Sequence, residues 1–224
     1  MMSKHTRQAG QVGRAGLVTL MLLASGLISE PAAAQDEAPA LAIRPFVLAS
    51  EQVFAARETF EAAFGQSIQP FYGGGLTLVS RDGLYVDLTA SRFRKVGQRA
   101  VRVSGQTFRL GIPLTATITP LEFALGYRFR SSRLVAPFAG AGIGSYRYQE
   151  TSEESDPEGD IDMRKLGYLA VGGVDFRLAS WFRAGIDVQY THVTGILGEG
   201  GISREAGEHD LGGMAARLKL TVGR

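Results

Sequence analysis

From Ile43 to the end of the chain, apolar and polar residues alternate with a period of two. Such a period places successive side chains on opposite faces, so each alternating segment is predicted to be a β-strand. Eight segments show the pattern, at 43–53, 69–80, 84–96, 113–129, 134–148, 164–178, 181–194 and 209–222. The chain is therefore predicted to be an all-β protein.

The connections between the predicted strands alternate in length. Tight hairpin turns are predicted at 81–83, 130–133 and 179–180, and long loops at 54–68, 97–112, 149–163 and 195–208. All tight turns then lie at one end of the strands, here called the turn end, and all long loops at the other, the loop end. This asymmetry, with an even strand count, predicts an eight-stranded antiparallel up-and-down transmembrane β-barrel.

The two faces of the strands differ in polarity. In the seventh strand, Ile186 and Val188 lie on an apolar face and Asp187 on the opposite, charged face. The fourth strand changes phase after Pro120, where Ile118 and Leu121 are both apolar but lie on opposite faces. A one-residue insertion flips every later side chain, so we predict a bulge at this proline.

Period two alone does not say which face points outward. In a soluble, lipocalin-like barrel the apolar face lines a ligand cavity, which is the alternative to a membrane barrel. The long strands favour a tilted membrane crossing. The charged face also carries many glycines, which suit a crowded lumen: Gly73, Gly75, Gly140, Gly142, Gly144, Gly173 and Gly185.

Aromatic residues gather near both ends of the strands, as expected where amphipathic rings lie at two membrane interfaces. Near the tight turns lie Tyr127, Phe129, Phe176, Trp181 and Phe182, and toward the long loops lie Tyr146, Tyr148, Tyr168 and Tyr190. These residues are predicted to form two aromatic belts on the outside of the barrel.

Residues 1–34 are predicted to be a secretory signal peptide. Residues 17–28 read LVTLMLLASGLI, and Ala32-Ala33-Ala34 offers small side chains for cleavage. This run is short for a membrane-spanning helix, which needs about 20 residues, and a retained anchor is the alternative. The predicted organisation is a signal peptide at 1–34, a periplasmic segment at 35–42 and a barrel at 43–224.

Charge and cysteine content narrow the possible partners. The chain has 24 Lys and Arg against 22 Asp and Glu, and residues 1–34 hold three of these bases and one acid. From Gln35 onward the two signs therefore balance at 21 each. A nucleic-acid binder usually shows a basic excess on one face, so we predict no nucleic-acid partner. Cysteine is absent, which excludes a disulfide scaffold.

Three stretches resemble the small outer-membrane β-barrel proteins of the OmpA/OmpX type. They are Leu125-Gly126-Tyr127-Arg128-Phe129, 136–144 (APFAGAGIG) and 172–176 (GGVDF). The resemblance implies a monomer of the Gram-negative cell envelope, inserted by the barrel-assembly machinery, with four surface loops in contact with outer-membrane lipid and lipopolysaccharide. Such barrels commonly finish in an aromatic residue, whereas this chain finishes in 220–224 (LTVGR).

Charged residues on the inward face are predicted to form a lumen network. Eight strands leave an interior just wide enough for side chains, and an isolated ion there costs several kcal/mol, so these charges must pair. The predicted network comprises Asp87, Glu122, Arg128, Asp175, Arg177, Arg183, Asp187, Arg217 and Lys219. Arg217 and Lys219 are expected to pair with Asp187. A packed polar plug is favoured over a narrow conducting pore.

The loop end carries further candidate sites. Basic residues that suit lipid phosphates flank the second long loop: Arg92, Arg94, Lys95, Arg99, Arg102 and Arg109. Loop 149–163 holds seven carboxylates, whose oxygens suit a hard cation, but it lacks the EF-hand order of ligands. We expect a solvated loop there and no metal site. Residues 54–65 predict a short helix that caps the barrel mouth.

The expected function is a structural or surface-interaction role without cofactors. Some small outer-membrane barrels are lipid A-modifying enzymes that use a histidine and a serine, and His192, with Ser203 in the next loop, is the candidate here. A serine shortly after the histidine is absent, so the prediction is that the protein is not an enzyme. An enzyme using His192 and a narrow porin-like channel remain the two alternatives.

Overall fold

A computed structural model describes residues 41–103, 106–129, 132, 134–152, 160–197 and 201–223. The predicted signal peptide lies outside these residues, as does most of the predicted segment 35–42. Leu41 and Ala42 already belong to the first strand, which begins two residues earlier than predicted. Within the described ranges, no helix is long and apolar enough to cross a membrane.

Eight antiparallel strands form a closed barrel in chain order, and the first strand pairs with the last. The strands are β1 (Leu41–Phe54), β2 (Ile68–Ser80), β3 (Leu84–Val103), β4 (Gln106–Arg128), β5 (Val135–Ser152), β6 (Ile161–Arg177), β7 (Phe182–Val193) and β8 (Leu211–Val222). Two short helices, α1 (Arg57–Phe64) and α2 (Gly201–Ala206), lie in loops at the loop end. The predicted fold class and the predicted helix near 54–65 are confirmed.

The predicted long loop at 97–112 is wrong. β3 and β4 continue pairing as far as Val103 and Gln106, so most of this segment is a hairpin extension of the barrel wall. A register shift between Gln98 and Ala100 marks the irregularity in the ladder, opposite Gly111 with φ +75°. Val101, Phe108 and Leu110 do alternate with polar residues here, but Gly97, Gly111 and the many charges of this segment suggested a loop.

The predicted bulge at Pro120 is also wrong. The β4–β5 register is continuous across it, with Thr119 opposite Arg147 and Leu121 opposite Ser145. Leu114, Ala116, Ile118 and Pro120 are buried on the inner face, and Leu121 and Phe123 are exposed on the outer face. The apolar phase changes because the interior itself changes character along the barrel axis, from polar near the turn end to apolar near the loop end.

The loop half of the interior is a hydrophobic core. It is formed by Phe54, Phe60, Phe71, Phe93, Ile118, Tyr146, Tyr148, Val193, Ile196, Leu197 and Leu211, with Ala56 and Ala116. The Phe60 ring, carried into the mouth by α1, stacks on Phe54 with ring centroids 3.8 Å apart. The helix therefore adds an apolar layer to the loop end of the interior.

Helix α1 is held at both ends by residues from other parts of the chain. At its amino end, the Glu208 carboxylate accepts hydrogen bonds from the Glu58 amide (3.1 Å) and from the amide and hydroxyl of Thr59 (2.8 Å each). At its carboxyl end, the Arg109 guanidinium donates to the carbonyl oxygens of Glu61 and Ala62. These contacts satisfy backbone groups that an isolated helix leaves unpaired, so Glu208 and Arg109 fix the position of α1.

The inner wall is crowded enough to require glycine at some of its positions. A Cβ atom on Gly75 would lie 1.8 Å from the Leu88 carbonyl oxygen, and one on Gly142 would lie 1.9 Å from the Phe123 carbonyl oxygen. Both contacts are with the backbone of a neighbouring strand, which has little freedom to move. These glycines therefore permit the tight curvature of an eight-stranded barrel.

The outer surface of the barrel is apolar. Large exposed side chains lie on all eight strands, among them Val47, Leu76, Leu88, Leu121, Phe123, Ile143, Leu166, Ile186, Val188, Leu218 and Leu220. A lipocalin-like barrel turns its apolar face inward, so that alternative is wrong. The closed ladder with an apolar exterior is the arrangement that a transmembrane barrel requires.

The residues assigned to the two aromatic belts divide between outside and inside. Tyr127, Phe129, Phe176, Trp181, Tyr168 and Tyr190 are exposed on the outside, and Phe182 is half-buried. Tyr148 is a correction, because it is buried in the apolar core, as is Tyr146. Even-numbered residues of β5 face inward, and the core near the loop end takes these rings into the barrel.

We expect Glu208→Ala to loosen α1, because the carboxylate caps the first turn of the helix. Loss of a helix cap costs about 1 kcal/mol, which corresponds to about fivefold more open helix. Trypsin cleavage after Arg57 in the folded barrel should therefore be about fivefold faster. Glu205→Ala, which removes an exposed carboxylate of α2, is the control. Equal cleavage rates in both variants would contradict the assigned cap.

Candidate functional site

Lys219 forms an ion pair across the lumen. The side chain lies on β8, is 1% exposed, and places Nζ 2.7 Å from Oδ2 of Asp87 on β3. The other Asp87 oxygen accepts a hydrogen bond from Thr77 at 2.5 Å, and Nζ lies 4.4 Å from the centre of the Phe46 ring. Since β8 and β3 are not neighbours in the barrel, this pair ties opposite walls together.

Arg217 is the centre of a second group one step nearer the loop end. Its Nε lies 2.5 Å from Oδ1 of Asp187, its direct partner on β7, and its Nη1 donates to the Gln189 side-chain oxygen. Glu122 lies 4.0 Å from Nη1 and accepts hydrogen bonds from Tyr146 (2.7 Å) and Gln189 (2.9 Å). The predicted pair of Arg217 with Asp187 is present, whereas Lys219 takes Asp87 instead.

Arg128 forms the third ion pair, nearer the turn end. Its guanidinium contacts the Asp175 carboxylate and lies over two aromatic rings, with centroid distances of 4.9 Å to Tyr85 and 5.2 Å to Phe138. Seven of the nine predicted lumen residues are thus buried in one interior region. These seven residues lie between the apolar layer and the turn end and fill that part of the lumen with paired charges.

Arg177 and Arg183 lie apart from that paired network, contrary to the prediction. Arg177 is exposed, and half-buried Arg183 donates to the Gly223 carbonyl oxygen at 3.1 Å. The two residues are cross-strand partners where β6 and β7 end. Arg177 is exposed to solvent, which lowers the cost of leaving its charge without a carboxylate partner.

Little empty space remains between the apolar and charged layers. A cavity of about 30 Å³ lies there, lined in part by Glu122, Thr191 and Arg217. This volume holds one or two water molecules. A second cavity, of about 390 Å³, lies at the loop end between α1, β3, β4 and α2, and Phe60, Phe64, Leu114 and Arg99 line part of it.

The basic residues near the second long loop do not form one cluster. Arg92 and Arg94 are exposed on the outer face of β3. Lys95 points inward and donates to the Gln69 side chain at 3.1 Å, and Arg109 is bound to α1. Arg99 lines the loop-end cavity. The backbone of Arg102 pairs with Thr107, and its side chain lies outside the described part of the structure.

The acidic loop is described at its two ends. Glu150 accepts a hydrogen bond from Tyr148 at 2.7 Å, and Asp162 pairs with Arg147 on the outer face. Residues 153–159, which hold four of the carboxylates, lie outside the described residues. Among the residues that are described, no group of three or more His, Asp or Glu side chains is placed to hold a metal ion.

His192 has no triad geometry. Its Nε2 lies 3.2 Å from the Thr194 hydroxyl and 3.7 Å from the Asp210 carboxylate, so one nitrogen faces both groups. A catalytic histidine instead uses one nitrogen for the nucleophile and the other for the carboxylate. Ser203 is buried near the Leu197 carbonyl oxygen. The lipid-modifying alternative therefore has no support from this site.

Several lumen residues were missed by the sequence reasoning. Tyr85, Tyr146 and Gln189 bind or stack on the charged groups, but as uncharged residues they gave no signal in a search for charges. Arg44 also faces the lumen, on β1, where Phe46 and Leu48 are buried on the same face. Because apolar residues share this inward face with Arg44, the alternation of apolar and polar residues did not show that Arg44 faces the lumen.

Comparisons with known proteins give likeness of fold and little likeness of sequence. No protein-family model and no curated protein sequence matches the chain. Solved structures similar to it include the outer membrane protein OprG from Pseudomonas aeruginosa, with a TM-score of 0.48, 13% identity, and coverage of 82% of this chain and 93% of that chain. Neisserial surface protein A gives a TM-score of 0.47, 10% identity, and coverage of 83% and 96%.

A third similar structure is Ail, the attachment invasion locus protein of Yersinia pestis, solved with the heparin analogue sucrose octasulfate. Its TM-score is 0.46 at 11% identity, over 82% of this chain and 95% of that chain. In its own structure, the chain described here has the three defining features of the class: eight strands in order, ladder closure and an apolar exterior. By these features it is an eight-stranded transmembrane β-barrel, the fold of the small outer-membrane proteins.

Proposed function

We propose that the protein is an outer-membrane barrel, exported through a cleaved signal peptide, whose lumen is closed and whose work is done by its surface. The observation that supports this proposal is that side chains fill the interior at two levels. Lys219 and Asp87 join opposite walls, and the Phe60–Phe54 stack fills the lumen nearer the loop end. The barrel then serves as a rigid anchor for its loops.

The small space between these layers supports a closed lumen over a narrow pore. A hydrated ion would have to displace α1 and break at least one buried ion pair to pass. Breaking a buried pair leaves an uncompensated charge, which costs about 3 to 5 kcal/mol. As an outer-membrane barrel, the protein would be oriented with its turn end facing the periplasm and its loop end facing the cell exterior.

The outer face near the loop end supports lipopolysaccharide as the lipid partner. Arg164 is exposed on β6, where its cross-strand partner Arg147 is already paired with Asp162, and Arg92 is exposed on β3 with Tyr72 opposite it on β2. Guanidinium groups beside an apolar belt suit the phosphates of an anionic lipid. This outward arginine band replaces the predicted set around the second long loop.

The location is tested by fractionating cells that express the full chain and comparing boiled and unboiled samples on a denaturing gel. We expect the protein in the outer membrane, with an unboiled form that migrates faster because the closed ladder resists detergent. Processing of the signal peptide should shorten the mature chain to begin at Gln35 by mass spectrometry. A soluble periplasmic protein without a mobility shift would overturn the proposal.

The ion pair across the lumen is tested by Asp87→Asn, which leaves the Lys219 ammonium buried without its charge partner. We expect a loss of about 3 to 5 kcal/mol in the free energy of unfolding by urea in lipid vesicles. The double variant Asp87→Leu with Lys219→Met should lose much less, because it removes both charges. Asp82→Asn, in the exposed β2–β3 turn, is the control.

Two results would contradict the closed lumen. One is an equal loss of stability in the single and double variants, which would mean that the pair is not coupled. The other is ion conductance by the unmodified protein in planar bilayers at moderate voltage, which would favour the porin-like alternative.

The arginine band is tested by Arg92→Gln and Arg164→Gln, measured as binding of purified lipopolysaccharide to the barrel in neutral detergent. An exposed charge pair contributes about 0.2 to 1 kcal/mol, so each variant should bind up to about fivefold more weakly. Arg57→Gln, an exposed arginine of α1, is the matched control. A similar loss of lipopolysaccharide binding in the control would mean that the effect comes from the overall charge of the protein.

A further inference from the structure

Three arginines meet at the turn end of the lumen without a carboxylate among them. Arg177 and Arg183 face each other on β6 and β7. Arg44 reaches the same place from β1, where its Cγ lies 3.3 Å from the position of a Cβ atom on Gly223. Since Arg183 donates to the Gly223 carbonyl oxygen, this glycine touches both side chains and joins the group. These three residues are here called the arginine cluster.

Within the described residues, the arginine cluster has no carboxylate partner. The charges that act on Arg44 are those of Arg183, Arg128 and Arg177, and those on Arg183 are Arg177 and Arg128. Asp175, the nearby acid, is already bound by Arg128. No ion pair to a cluster arginine occurs among residues 41–103, 106–129, 132, 134–152, 160–197 and 201–223.

Arg44 also has an unused donor. Its Nε is buried and has no hydrogen-bond acceptor. A buried donor left unpaired costs free energy, and neighbouring like charges add repulsion. Both costs are relieved by one negatively charged group that accepts hydrogen bonds from more than one guanidinium.

We propose that the arginine cluster is a binding site for a phosphate-type oxyanion that enters from the turn end. Guanidinium forks match the oxygens of phosphate, and several forks around one anion are a frequent phosphate site. Arg128, held in place by Asp175, closes the inner side of the site, while exposed Arg177 forms its entrance. The ligand has two possible sources, a small phosphorylated solute or the headgroup of an anionic phospholipid.

The test is calorimetric titration of the purified, folded full-length mature barrel in neutral detergent with inorganic phosphate, at constant ionic strength set with sodium chloride. Removing one charge-assisted hydrogen bond should weaken phosphate binding about tenfold, so we expect that effect from Arg44→Gln and from Arg183→Gln. Arg94→Gln, which removes an exposed charge on the outer face, should bind as the unmodified protein does. Unboiled gel mobility confirms that each variant is folded.

Arg183→Lys gives a second readout, since it keeps the charge but loses the fork. We expect intermediate binding from it. Titration with a short-chain phosphatidylglycerol below its micelle concentration identifies the source, because tighter binding than phosphate supports a lipid headgroup and weaker binding supports a solute.

Three results would overturn the site. The first is no heat of phosphate binding beyond that of chloride. The second is an equal loss of phosphate binding in Arg94→Gln. The third is phosphate binding that appears only after Asp36→Asn and Glu37→Gln, which would mean that the chain's own carboxylates occupy the cluster. The proposal takes its periplasmic orientation from the proposed function, but the titration in detergent does not depend on orientation. A failure of the anion site and a failure of the proposed function can therefore be distinguished.

Discussion

Closure of the β-ladder is the constraint on which the rest of the structure depends. A backbone amide or carbonyl left unpaired in hydrocarbon costs several kcal/mol, so a sheet can cross a membrane only when its last strand pairs with its first. Here β8 pairs with β1 over nine residue pairs, from Phe46 opposite Thr221 to Phe54 opposite Gly213. With eight strands, closure also fixes a narrow lumen, and every inward residue must then fit, pair or be glycine.

The narrow lumen explains which predictions the sequence supported. Alternation identified all eight strands and the inward position of seven paired charges, because period two is the direct consequence of the pleat. It failed where the two faces stopped differing. At Ile118 and Tyr148 the inward face is apolar, so the pattern suggested a bulge and an outer belt that the structure does not have. In the β3–β4 extension the alternation continues, with Val101, Phe108 and Leu110 beside polar residues, but glycines and many charges interrupt it and suggested a loop.

Long-range partners were beyond the sequence for a different reason. Asp187 and Arg217 are cross-strand neighbours, so adjacency in the barrel was enough to suggest their contact. Lys219 reaches instead across the lumen to Asp87, 132 residues away in the chain. Glu208, which precedes β8, likewise caps α1 from 149 residues further along the chain than Thr59. Such contacts depend on the barrel radius and on side-chain length, which no periodicity encodes.

The distribution of charge along the barrel axis follows from access to water. In the middle of the lumen, where water is scarce, each of Arg128, Arg217 and Lys219 contacts a carboxylate, because an unpaired ion there would destabilise the fold. At the turn end hydration lowers that penalty, and unpaired arginines are tolerated. In these buried pairs the positive charge of each cation is already balanced by a carboxylate. At the turn end, by contrast, Arg177 and Arg183 lack a carboxylate partner among the described residues, so an anion that enters from that end would meet uncompensated positive charge first.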